Sequence, residues 1–79
     1  MSAYAIRYVD RAAHRKAALK APQHASLEEL EKRLSLNPFG PPAISNRDNS
    51  WSAAFQDGFI TYVVSNRHVV INVIDVVAL

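Results

Sequence analysis

The sequence predicts an α+β protein of element order β-α-α-β-β-β, with a helical hairpin on one face of a mainly antiparallel four-stranded sheet. Three observations support this. A short β-forming run opens the chain, two stretches with helical punctuation follow, and from Trp51 onward apolar runs alternate with tight-turn signals. At 79 residues there is room for a single domain, 1–79, near the lower limit for a self-standing core. An apolar fraction of 49% against 20% charged residues fits a globule and excludes a disordered segment.

"AYAIRYV" (Ala3–Val9) is rich in β-formers, and Tyr4, Ile6 and Tyr8 share one face of the strand it predicts. Asp10 is placed to cap a helix over "RAAHRKAALKA", which Pro22 would end. Its apolar residues are mostly alanine, so this helix can approach the sheet closely. "QHA" reads as a connector. "SLEE" reads as a capping box, Ser26 accepting from the Glu29 amide and Glu29 reaching back. Leu27, Leu30 and Leu34 then form one apolar stripe on the second helix, and Asn37, Pro38, Gly40, Pro41 and Pro42 end it.

"WSAAFQ" predicts a strand with Trp51, Ala53 and Phe55 on one face, "QDG" a tight turn, and "FITYVVS" the next strand. "SNR" turns the chain into "HVVINVIDVVAL". Strict alternation places Val69, Ile71, Val73 and Val77 on one face of this last strand and Val70, Ile74 and Val76 on the other. A strand apolar on both faces belongs in the sheet interior, so the C-terminal strand is expected to be central.

Composition narrows the chemistry. With no cysteine, disulfides and thiolate metal sites are excluded. The opening "MSAYAIRYVDRAAHRK" sets charges where a signal peptide needs its apolar stretch, and Asn66, Arg67, His68, Asn72 and Asp75 interrupt the apolar C-terminal segment. A cytoplasmic protein without a membrane role is therefore expected. Residues 1–35 carry seven Lys/Arg against four Asp/Glu, so the first half is the basic one and suits an anionic partner. His14 and His24 lack a second ligand at metal spacing, Ser52 and Ser65 lack a His/Asp set, and Gly40 and Gly58 are the chain's two glycines, too few for a phosphate loop. No metal or cofactor is expected. Asp75 is expected to pair with Arg7 across the sheet.

Four stretches resemble the RelE/ParE toxin superfamily of bacterial toxin–antitoxin pairs: "YAIRYVDRAA", "LEELEKRLSLNPFGPPA", "WSAAFQDGFITYVV" and "SNRHVVINVIDVV". The resemblance covers nearly the whole chain. It implies a toxin-type component neutralised by a small cognate antitoxin and directed at translation (messenger RNA on the ribosome) or at DNA gyrase. Cleavage of RNA needs a 2′-hydroxyl activated, charge on phosphorus stabilised and the leaving oxygen protonated. Where relatives place Arg or Lys after the aromatic residue, this chain has Ser52, Ala53 and Ala54; after Gly58 come Phe59, Ile60 and Thr61; the segment "VVAL" replaces a His or Ser with a trailing basic residue. These departures favour a ParE-type or degenerate member.

Tyr62 matches the family's tyrosine on the middle strand, and Arg67 and His68 in the final turn form the remaining candidate pair for phosphate clamp and acid. Arg11, Arg15, Lys16 and Lys20 form either a phosphate-contact stripe on the first helix or an ordinary solvated face. Arg47, where relatives carry RNA-facing basic residues, either serves that role or pairs with Asp48. Whether the protein is an enzyme stays open. The alternative is a non-enzymatic module of the same fold that homodimerises or holds a protein partner.

Overall fold

Alternation of Tyr4, Ile6 and Tyr8 against Ala5 and Arg7 does make the first strand, β1 (Ala5–Tyr8), whose even-numbered side chains pack on the core. The computed structural model describes residues 3–79. Helices α1 (Asp10–Ala17) and α2 (Ala21–Leu36) follow, then strands β2 (Ile44–Ser45), β3 (Trp51–Phe55), β4 (Gly58–Ser65) and β5 (Val70–Ala78). The sheet order is β1-β5-β4-β3-β2, with β1 parallel to β5 and every other neighbour pair antiparallel. The α+β class, the two helices on one face and the interior C-terminal strand are as expected. The fifth strand, β2, is an addition: two residues that pair with Trp51 and Ser52 at the rim. Two residues are too few to show periodicity.

The helices begin differently from the expectation. Val9, not Asp10, occupies the N-cap of α1, and Asp10 lies inside the first turn, where its charge suits the helix dipole. Pro22 does not end α1. It sits in the first turn of α2, where a missing amide hydrogen costs nothing, and Gln23, His24 and Ala25 are helical rather than a connector. The "SLEE" capping box is not formed, because Ser26 is already within α2. Its hydroxyl accepts instead from the Gln56 amide at 2.9 Å, tying α2 to the β3–β4 turn. Leu27, Leu30 and Leu34 are buried as one stripe, and buried Ala12 lets α1 pack against the sheet.

Beneath the helices lie Ala53 and Phe55 of β3, Ile60 and Tyr62 of β4, and Ile71, Val73 and Val76 of β5. The face assignment of β5 needs correction. Thr61 pairs with Asp75 but Tyr62 pairs with Val73, so Ile74 is an extra residue opposite no partner. This β-bulge flips the alternation and brings Val76, rather than Val77, to the helix side. Val69 lies in the turn at φ 54, outside the strand. The β3–β4 turn has two residues, Gln56 and Asp57, with Asp57 at φ 56. Gly58 follows because a Cβ there would stand 2.5 Å from the Val77 carbonyl oxygen and 2.6 Å from the Phe55 ring.

Candidate functional site

Two surfaces carry the polar groups that sequence singled out. One is where α1 crosses β5. Pairing with β1 stops at Tyr8↔Val73, and Val9 donates to the Val73 carbonyl before turning into α1. Beyond that point Arg11 Nη2 lies 3.4 Å from the Ile74 carbonyl, and Arg15 Nη1 lies 3.2 Å from Asp75 Oδ1 and 3.5 Å from the Val76 carbonyl. Asp75 therefore pairs with Arg15 and not with Arg7. The cause is the turn at Val9, which carries α1 back over the end of β5 while Arg7 stays opposite Asn72. Lys16 donates to Glu31 Oε2 at 2.8 Å and stands 4.8 Å over the Tyr8 ring. The Tyr8 hydroxyl donates to the same carboxylate. Burial, then the hydrogen bond to Glu31 and its charge, push the Tyr8 hydroxyl well above the ordinary phenol range.

The four cations thus do not form one free stripe. Three lie against protein acceptors. Lys20, at the N-cap of α2, makes no ion pair among the described residues. It lines an open cleft of about 590 Å³ with Arg15, Leu19, Gln23, Asp57 and Val76.

The second surface is the sheet face away from the helices. Register places Arg7, Asn72 and Val63 in one row, Asp75, Thr61, Ser52 and Ile44 in the next, and Val77, Phe59 and Ala54 in a third. Val63 and Ile44 are 40% and 66% exposed, so apolar side chains alternate here with small polar ones in contact with solvent. Arg7 and Asp75 are the charged groups in these rows.

Tyr62 is not on that face. It points beneath the helices, fully buried, with its hydroxyl donating to the Pro38 carbonyl at 2.7 Å. Burial pushes its ionisation up to about 12. This tyrosine anchors the proline loop to the core, and its hydroxyl lies on the helix side of the sheet, away from the open face. Arg67 and His68 are exposed in the β4–β5 turn, where the His68 ring Nδ1 is 3.0 Å from Ser65 Oγ. Arg47 is exposed in the β2–β3 loop. Of its two alternatives, the ion pair with Asp48 is not formed: Asp48 accepts from the hydroxyl and amide of Ser50, which hold its carboxyl below the usual range. The candidates therefore occupy three separate places: Tyr62 beneath the helices, Arg67 with His68 in the β4–β5 turn, and Arg47 in the β2–β3 loop. His24 pairs with Glu28 within α2, and no group of three metal-ligating side chains occurs among the described residues.

No protein-family model and no curated protein sequence matches the chain. Solved structures do. The chain superposes on a RelBE toxin–antitoxin complex of Mycobacterium tuberculosis with a TM-score of 0.87, covering 100% of this chain and 94% of that one at 19% identity. The protein has the RelE toxin fold. The isolated RelE toxin of Escherichia coli matches at 0.82 and 18% identity over 94% of this chain and 82% of its own. The RelE–RelB complex of Pyrococcus horikoshii matches at 0.78 and 14% identity, over 94% and 92%. The RelE fold accounts for both surfaces at once: the helical pair closes one side of the sheet and leaves the other open.

The fold was legible in the sequence. The β5 bulge, the Arg15–Asp75 pair, the Tyr8–Glu31–Lys16 cluster and the cleft were not, since all of them join residues far apart in the chain. The apolar two-faced β5 was the available signal for a strand with something packed beyond its paired length.

Proposed function

We propose that this protein is the toxin-type partner of a toxin–antitoxin pair, held by a small antitoxin protein and without the side chains of an RNA-cleaving centre. The observation that carries the reading is the match of the whole chain to RelE at a TM-score of 0.87, including a toxin in complex with its antitoxin. The open face supports the second half of the reading. Ser52, Ala54, Phe59 and Thr61 lie there uncharged, and Arg7 is the one cation in these rows.

Induced expression of the protein is expected to arrest growth, and co-expression of a short neighbouring reading frame to relieve the arrest. Arg67→Ala and His68→Ala are expected to leave the arrest unchanged; its loss in either variant would reinstate a nuclease. A second reading, a homodimerising or partner-holding module of the same fold, is favoured by the exposed Ile44 and Val63. Sedimentation equilibrium giving a dimer, together with no arrest, would select it.

A further inference from the structure

Four of the nine residues of β5 pair with β1; beyond them come the bulge residue Ile74 and then Asp75 to Ala78, which have β4 on one side and no strand on the other. Backbone alternation decides which groups face that free side. Asp75 and Val77 turn their amides and carbonyls toward Thr61 and Phe59, as Leu79 does toward the Asp57 carbonyl. The outward groups are therefore the Ile74 carbonyl and both backbone groups of Val76 and Ala78.

Side chains cap most of them. Arg11 reaches the Ile74 carbonyl at 3.4 Å, Arg15 reaches the Val76 carbonyl at 3.5 Å, and Asp75 Oδ1 accepts from the Val76 amide at 2.9 Å. The two arginine contacts are long for hydrogen bonds and come from side chains that can swing away. By the same alternation the Ala78 amide points away from β4, and no side chain among the described residues accepts from it. The cleft of about 590 Å³ lies against this same edge, walled by Leu19 and Gln23. Among its ionisable side chains Arg15 is already paired with Asp75, Asp57 is the one carboxylate, and Lys20 is the cation without an ion pair among the described residues.

An unpaired edge with an open cleft beside it is a template for an added strand. We infer that this half of β5 takes an extended, acidic segment of the protein partner, which pairs its backbone with Val76 and Ala78 as a sixth strand. One of its carboxylates meets Lys20. The free length, five residues at about 3.3 Å each, is roughly 17 Å, enough for a short strand. Parallel and antiparallel entry satisfy the same outward groups. The inference rests on the reading that the chain holds a protein partner, and it adds where and in what conformation.

The test uses the full chain and a phage-displayed library of short random peptides. Recovered peptides are titrated against the wild-type chain, Ala78→Pro and Lys20→Glu. Proline at 78 deletes an amide hydrogen that has no partner in the fold, so the unfolding midpoint is expected to hold while peptide affinity falls about tenfold, the worth of one good hydrogen bond. Lys20→Glu is expected to weaken acidic peptides by a similar factor. Hydrogen exchange on the wild-type chain provides an independent readout should Ala78→Pro fold poorly: bound peptide is expected to protect the Ala78 amide. An empty selection, peptides that bind Ala78→Pro unchanged, or an Ala78 amide that exchanges as fast with peptide as without would each overturn the inference. Growth arrest is not read in this experiment, so a negative result here alongside a positive one above removes the added strand and leaves the toxin reading standing.

Discussion

The two faces of the sheet are built by the same strands, and neighbouring residues are sent to opposite fates. Toward the helices point Ile60, Tyr62, Ile71, Val73 and Val76, all buried; away from them point Phe59, Thr61, Val63, Asn72 and Asp75, at least partly open to solvent. The covered face is specified by packing, and its fully buried hydroxyl, that of Tyr62, is tied off on Pro38. The open face carries little ionisable chemistry and more recognition surface. A side chain's type therefore says less about its role here than which side of the pleat it occupies.

The sharpest way to break this contrast is to remove Val76–Leu79. That deletes a buried valine, the end of the β4–β5 ladder and the bond from the Leu79 amide to Asp57, an expected loss of about 4 kcal/mol by urea denaturation. An unchanged midpoint would mean that β5 ends functionally at its bulge. Ile60→Ala, on the covered face, is expected to cost about 3 kcal/mol, whereas Val63→Ala, three residues on and 40% exposed, should cost about 0.5 kcal/mol. Equal losses would mean that the open face is buried in solution against another molecule.

Tyr62→Phe is a smaller, pH-dependent test. At neutral pH it removes one buried hydrogen bond, worth about 1 kcal/mol. Because folding raises the tyrosine from 10.0 to about 12, the folded state favours the protonated form. That stability is complete below pH 10 and is lost as the pH rises from there through 12. The phenylalanine variant should show a shallower alkaline decline, with the part due to Tyr8 remaining. Smallest of all, Val69→Gly is expected to stabilise by about 0.5 kcal/mol, since a β-branched residue is strained at φ 54 and glycine is not. Thermal unfolding reads it directly.

Much of the covered face was legible beforehand. The Leu27–Leu30–Leu34 stripe, the Trp51–Ala53–Phe55 alternation and the two-faced apolar β5 each follow a period that local sequence displays. The helix boundaries were not legible in the same way. Pro22 and Ser26–Glu29 send signals for a helix end and a helix start, but a proline in a first turn and a serine inside a helix satisfy the same local chemistry. The site was the least legible part. Arg15 reaches Asp75 across sixty positions of sequence, and Lys16 meets Tyr8 and Glu31 from three different elements. No spacing rule carries such pairings, because they exist only once α1 has been laid over β5.

Sequence by itself determined the class of the fold, the order of every element but β2, and the interior place of the last strand. Each follows from hydrophobic period and turn chemistry, which act over a few residues. Tertiary structure alone decided which face Val76 and Val77 take, which carboxylate Arg15 finds and where the open edge lies. The physical reason is the single extra residue at Ile74: a bulge forms when one strand accommodates the register of its neighbour, and no strand can set that register alone.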